Sequence, residues 1–438
     1  MSDSLPRVVI VGGGFAGLAA AKALRKTPAR IILIDRSNHH LFQPLLYQVA
    51  TSVLTPGQIG SPIRGVLRKQ ANATVILGEV TSVDRAKKAV YVSNGLRENI
   101  PVTYDFLILA TGVTHSYFGH DEFAPFAPGL KSLADAVAIR NRILRAFEQA
   151  EAEEEPAKHR DLLTFVLVGG GPTGVEMAAA IAVFVRTTLR RDFRRIDPTS
   201  ARIMVIDRGK RVLGTFAEQL SEAGMKRLER LGVEVRLGVG VDGIDAEGVT
   251  VAGERILSKV VIWTAGVAPS PAGKWLTAET DRAGRVRVQP DLSVPGSPEV
   301  FVLGDTASLD QEGHALPGVA QVAIQQGRYA GRLIARRISG ESIPKPFHYF
   351  DKGNMAVVGG GFAVLQTGKL RMHGFLAWLA WGLVHLQFLA QSSERVSVFL
   401  QWIWTANTGQ RGSRLIVNHY GTRQVQARAA ATPQETRT

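Results

Sequence analysis

Two stretches of the 438-residue chain repeat one pattern: RVVIVGGGFAGLAAA (Arg7–Ala21) and LTFVLVGGGPTGVEMAAA (Leu163–Ala180). Each is followed by an almost identical apolar segment, ARIILIDR (Ala29–Arg36) and ARIMVIDR (Ala201–Arg208). In both copies a β-branched run reads as a buried parallel strand that breaks at G-x-G-x-x-G into a helix of small residues. Such a turn suits a pyrophosphate. Gly12 and Gly169 make the tight turn, Gly14 and Gly171 admit the phosphates, and Gly17 and Gly174 let the helix pack on the strand. The free N–H groups and the dipole of the helix N-terminus then favour negative charge. Asp35 and Asp207 end the second strand of each copy, placed to accept hydrogen bonds from a ribose diol. The chain therefore reads as built for two dinucleotides. An Arg-rich insertion (Arg186–Pro198) lengthens the second copy.

The first unit is interrupted, because its strands resume at FLILATGV (Phe106–Val113) and again at VFVLGDTAS (Val300–Ser308). The second unit runs through VVIWTAGV (Val260–Val267) as a continuous insert. The expected fold is α/β, with two Rossmann-like dinucleotide-binding domains, the second inserted in the first, and a C-terminal membrane-attachment region. The expected divisions are 1–161, 162–268, 269–345, 346–420 and a disordered tail 421–438. Residues 132–152 read as a helix, and the acidic run Glu151–Glu155 as a solvated turn. GVAQVAIQQGRYAGRLIARRI reads as a further helix, and the glycine-rich segment after it as a small antiparallel sheet.

The chain has no cysteine, which excludes thiol, disulfide and thiolate-metal chemistry. Its ten histidines show no metal-ligand spacing, so no metal site is expected. With no leader ahead of the first strand, a place on the cytoplasmic side is expected. The net charge is +14, and from Arg371 onward seven arginines face two acids. That segment also holds GFLAWLAWGLVHLQFLA (Gly374–Ala390) and VSVFLQWIWTA (Val396–Ala406), with four of the six tryptophans. Neither reaches the roughly 20 apolar residues of a spanning helix. Trp at their ends and Arg371, Arg395, Arg411 and Arg414 at their flanks fit helices lying in a bilayer interface. An anionic lipid surface is thus the expected partner, rather than nucleic acid. A core helix pair or a dimer seam is the competing reading, and a homodimer is expected.

The order of these segments resembles the type II NADH:quinone oxidoreductases, the single-subunit, FAD-containing, non-pumping NADH dehydrogenases of respiratory membranes. HHLFQPLLYQVAT, GGGPTGVEMA, FVLGDTA, PGVAQVAIQQGRYA, DKGNMAVVG and the Trp-rich end carry the resemblance. It implies non-covalent FAD in the first unit, held by Gly12, Gly13, Gly14, Phe15, Ala16, Gly17, Asp35 and Arg36. Val80 would lie toward the adenine, Ala110, Thr111 and Gly112 under the pyrophosphate, Gly304 and Asp305 at the ribityl chain, and Ala320 and Gln321 near the ring. NADH would be held by Gly169, Gly171, Pro172, Thr173, Gly174 and Asp207, with Gly266 at the nicotinamide side. Arg208 beside Asp207 leaves NADPH open. The family's functional glutamate corresponds to Glu176. Its quinone motif falls on Ala320, Gln321, Ala323 and Gln325, with Lys352 close by, and a membrane quinone takes the electrons.

On the residues alone Glu176 equally fits a first-turn acid that complements the helix dipole. Two other activities also fit the nucleotide motifs. One is a soluble NAD(P)H-flavin reductase for oxygen or ferredoxin, and the other a basic flavoprotein whose redox state gates binding to a partner.

Overall fold

The computed structural model describes residues 5–417. Two parallel sheets dominate it. The first has the strand order Ser293–Val294, Ser297–Val302, Phe106–Leu109, Arg7–Val11, Arg30–Asp35, Ala73–Leu77, parallel throughout except for the short Ser293–Val294 edge. The second runs Val233–Leu237, Arg202–Asp207, Thr164–Val168, Val260–Trp263, all parallel. The first sheet thus takes strands from before and after the whole of the second.

Burial on both faces explains the continuous apolar runs: Val8, Val9 and Ile10 are fully buried, as are Phe165, Val166 and Leu167. The first fingerprint helix, Phe15–Ala23, packs against helix Ala320–Ser339. Small residues make that seam. A Cβ on Gly327 would strike the carbonyl of Ala16, and one on Gly331 would crowd Ala20 and Ala23.

The two sheets open toward each other. Strand Val113–His115 leaves the first sheet and pairs antiparallel with Val267–Pro269, which leaves the second. The carboxyl ends of both sheets, where α/β folds bind ligands, therefore face one region.

The expected helix begins at Leu133, with the Ser132 hydroxyl accepting from the Asp135 N–H, and ends at Ala152. The expected small sheet forms from Asn354–Val357, Ala363–Thr367 and Leu370–Gly374. The acidic run is more than a solvated turn. The Glu151 carboxylate accepts the N–H groups of Arg194, Arg195 and Ile196, tying the Arg-rich insertion to helix Leu133–Ala152.

The apolar C-terminal stretches form helices Phe375–Phe388 and Ser392–Thr408. Ala377, Trp381, Leu389 and Val398 join the main core, while Leu376, Leu379, Leu383, Phe399, Leu400 and Trp404 stay exposed. No described helix is long and apolar enough to cross a membrane. Two of the four arginines expected to flank a lipid face are held by protein groups instead. Arg411 is buried, donating to the carbonyls of Thr51 and Ala180 and lying over the Phe184 ring, and Arg414 pairs with Asp192 at 3.1 Å. The tail expected to be disordered lies outside the described residues.

Candidate active site

The crevice between the sheets is a cavity of about 660 Å³. Its wall includes Gly12, Gly13, Gly14, Phe15, Ala16, Asp35 and Arg36 at one end and Ala110, Thr111 and Gly112 beneath. Gly304, Asp305 and Ala320 close another side, and Thr173 and Glu176 reach in from the second unit.

Local chemistry explains the glycines. Gly12 has φ +102°, and a Cβ there would strike the Ala110 carbonyl, so only glycine fits. A Cβ on Gly17 would strike the Gly12 carbonyl. Gly14 is different: no protein atom lies within 4 Å of where its Cβ would be. That space opens on the cavity, as a pyrophosphate would require.

The strand-terminal aspartates do the same local work in both units. Asp35 accepts the N–H groups of Gly13 and Ser37, each at 2.6 Å. Asp207 accepts those of Gly170 and Gly209, each at 2.5 Å. Carboxylate oxygens have further lone pairs for ribose hydroxyls. Burial raises the pKa of Asp35, opposed by its two N–H donors and by Arg36.

Further along the cavity, burial raises Asp305 while the Lys131 and Arg285 charges pull it back. Lys131, on the same cavity wall, is itself lowered by burial, with the Asp305 charge opposing. His40 is buried beneath the first fingerprint, with Nδ1 2.9 Å from the Gly13 carbonyl and its ring edge-on to Phe15. Burial lowers its pKa, keeping the imidazole neutral, and its bond to that carbonyl makes Nδ1 the protonated nitrogen.

The carboxyl of Glu176 is desolvated by its surroundings and raised to about 8. One N–H, from Val357 at 3.2 Å, favours the charged form but does not offset the burial. The group is therefore mostly neutral at pH 7 and able to donate a proton. Tyr47 lines the same cavity; its hydroxyl accepts from Gln48 Nε2 at 3.0 Å, and Gln48 Oε1 accepts from Trp402 Nε1 at 2.7 Å.

The second unit has a smaller cavity of about 230 Å³, lined by Gly169, Asp207, Arg208, Val239 and Gly240. Tyr117, Phe118, Phe123 and Trp263 give it an aromatic wall. Gly171, like Gly14, has open space at its Cβ position, Gly174 abuts the Gly169 carbonyl, and Pro172 begins the helix. Gly266 lies under the Phe118 ring.

Other expected residues sit elsewhere. The Val80 side chain is in the core with Val9 and Ile34, and Val80 is not on the cavity wall. Gln321 donates to the Gly353 carbonyl at 3.2 Å, and its Oε1 is buried without a hydrogen-bond partner. Gln325 clamps Phe350, donating to its carbonyl and accepting its N–H. Lys352 is exposed and not on the cavity wall.

Lys131, His40, Tyr47 and the aromatic wall were not singled out from sequence. HHLFQPLLYQVAT held two of these residues, but nothing in a string shows a ring meeting a carbonyl 27 residues away.

The fold, with a cavity between two nucleotide-type units, is that of a pyridine nucleotide oxidoreductase. Residues 6–327 match the family described as pyridine nucleotide-disulphide oxidoreductase. The chain is 46% identical to Mycobacterium tuberculosis type II NADH:quinone oxidoreductase Ndh over 94% of its length and 90% of that protein's. Identity to M. tuberculosis NdhA is also 46%, over 90% of this chain and 86% of that one. Plasmodium falciparum NDH2, solved in complex with NADH, has the same fold, with a TM-score of 0.84 at 19% identity, covering 94% of this chain and all of that one. The chain belongs to the type II NADH:quinone oxidoreductases. Without a cysteine it lacks the disulphide named in the broader family.

Proposed function

We propose that the chain oxidises NADH through a non-covalently bound FAD and passes two electrons to a membrane quinone without pumping protons. The observation that carries this reading is the shared cavity, in which Gly14, Asp35 and Asp305 of the first unit meet Thr173 and Glu176 of the second. That meeting is what direct hydride transfer between two dinucleotides needs.

The residues present fit FAD: the open space at Gly14, the hydrogen-bonded Asp35, and Asp305 and Lys131 on the cavity wall supply phosphate, ribose and ribityl contacts. When bound, the flavin accepts hydride from the nicotinamide and releases electrons to the quinone. Gly12 and Gly17 keep the turn tight, and Thr111 and Gly112 form the floor. Asp207 accepts the free ribose hydroxyls of NADH and repels a 2′-phosphate. Glu176, neutral near pH 7, holds a proton at the carboxyl that the reduced acceptor can take up.

In this reading Gln321 contacts the quinone, and Gln325 positions the segment 349–353. The exposed apolar side chains of the two C-terminal helices lie in the lipid headgroup boundary on the cytoplasmic face. The absence of a spanning helix among the described residues supports peripheral attachment. NADH oxidation by membrane-bound protein, with and without a lipid-soluble quinone, tests the reading. Quinone should raise the rate well above the oxygen background.

A further inference from the structure

A chain of hydrogen bonds runs from helix Ser392–Thr408 to the wall of the main cavity. The Trp402 indole donates to Gln48 Oε1 at 2.7 Å, and Gln48 Nε2 donates to the Tyr47 hydroxyl at 3.0 Å. Its direction is set by Trp402. An indole N–H can only donate, so the Gln48 amide turns its oxygen to Trp402 and its N–H groups to Tyr47. The Tyr47 oxygen is thereby an acceptor in this chain, and its own proton points elsewhere. Among the described residues no acceptor takes that proton, and Tyr47 lines the cavity with Glu176, Ala320 and Ala323. Burial, reinforced by the Glu176 charge, holds the phenol well above its usual pKa, so the proton stays on the oxygen.

The C-terminal helix holds this chain in place. Tyr47 and Gln48 belong to the short helix Leu46–Ala50, and each is only 6% exposed. The Thr51 carbonyl at the end of that helix accepts from Arg411, three residues beyond the C-terminal helix. Further along the same segment, Gln58 Nε2 donates to the Ser397 hydroxyl at 2.8 Å, and the Ser61 hydroxyl donates to Glu394. Trp402 packs on Trp381, ring centroids 5.2 Å apart, and its ring lies 3.5 Å from where a Cβ on Gly382 would be. The same helix exposes Phe399, Leu400, Ile403 and Trp404. The Tyr47 hydroxyl is thus two hydrogen bonds from the helix with the exposed apolar side chains, the side from which a lipid-soluble acceptor would come.

We propose that the Tyr47 hydroxyl donates a hydrogen bond to a carbonyl oxygen of the quinone, and that Gln48 and Trp402 are positioning residues that aim it. The assignment rests on the quinone-reducing reading above and names the donor in it. A quinone carbonyl has lone pairs and no proton, so it needs a donor from the wall. The unpartnered atom of Gln321 is its oxygen, which accepts from a quinol hydroxyl but cannot donate to a quinone. Each bond in a chain of donors polarises the next, so the Trp402 N–H also strengthens the Tyr47 O–H as a donor.

Steady-state kinetics of the FAD-loaded full chain on vesicles tests this, with a lipid-soluble quinone and separately with ferricyanide, which has no carbonyl. Tyr47→Phe keeps the ring and removes the hydroxyl. The KM for quinone should rise about fivefold, the worth of one neutral hydrogen bond, with kcat little changed and the ferricyanide rate as in the wild type. Gln48→Leu and Trp402→Phe change residues off the cavity wall, and each should also raise the quinone KM. In the Tyr47→Phe background neither should raise it further, because no hydroxyl is left to aim. Additive losses would overturn the positioning role. An unchanged quinone KM in Tyr47→Phe, at wild-type FAD content, would overturn the proposal and leave quinone reduction intact. So would an equal loss with ferricyanide. Should Tyr47→Phe not retain FAD, Gln48→Leu decides, an unchanged quinone KM there overturning the proposal. Wild-type turnover that does not respond to quinone would instead overturn the reading on which the proposal rests.

Discussion

The backbone N–H of Val357 donates to Glu176 Oε1 at 3.2 Å, joining residues 181 apart in the chain. It fixes the fingerprint helix of the second unit to the first strand of the C-terminal sheet, with the carboxyl on the cavity wall. The matching position of the first copy, two residues past its last fingerprint glycine, is Ala19. Duplication therefore supplied the helix but not the acid, which fits a role in chemistry rather than in holding phosphate.

Glu176→Gln keeps shape and removes ionisation. Turnover with quinone should fall at least tenfold with FAD content unchanged, and the dependence on pH near 8 should flatten. Stability should respond too. The carboxyl titrates near 8 folded and near 4.5 unfolded, so the neutral form's contribution is full below about 4.5 and declines as pH rises through 8. Melting of the flavin-free wild type should fall across that window more steeply than that of Glu176→Gln.

Gly14 and Gly17 should separate ligand binding from folding. Gly14→Ala puts its Cβ where no protein atom lies within 4 Å, so the protein should fold but purify without flavin. Gly17→Ala strikes the Gly12 carbonyl, and soluble yield itself should fall. Flavin absorbance per mole of protein, with circular dichroism, reads both.

Asp207→Ala leaves the N–H groups of Gly170 and Gly209 without their acceptor, at a cost of about 1–3 kcal/mol for each that stays buried. The ratio of kcat/KM for NADH over NADPH should also fall by tenfold or more. An unchanged ratio would assign cofactor choice to Arg208.

Trp402→Phe removes the indole donor to Gln48 and should loosen the last helix by about 1 kcal/mol, without changing the exposed face. Leu383→Gln and Leu400→Gln, at positions 72% and 58% exposed, should instead weaken vesicle binding while melting stays near wild type. Point changes serve better than deletion from Gly374, because Ala377, Trp381 and Val398 belong to the core.

Most of the fold was legible because a parallel strand buried on both faces must be apolar throughout, and the glycine turns fix where each strand ends. The same rule exposed Asp35 and Asp207 as strand-terminal acids. What stayed hidden depends on contacts between distant segments. Arg411 looked like a lipid-facing arginine until the Thr51 and Ala180 carbonyls met it, and Glu151 looked solvated until the 194–196 backbone turned back on it. Gln325 stands four residues from Gln321 on one helix, yet it spends its amide on Phe350. Spacing gives the face of a helix; it does not say what crosses it.

The central claim is that one cavity joins NADH oxidation to quinone reduction through a flavin. Anaerobic stopped flow on the vesicle-bound protein tests it most directly, with NADH mixed first and a lipid-soluble quinone second. The account predicts bleaching of the oxidised flavin by NADH and its full recovery with quinone. In Gln321→Leu bleaching should stay fast while recovery slows at least tenfold. Bleaching by NADH with no recovery beyond the quinone-free rate in the wild type would contradict it.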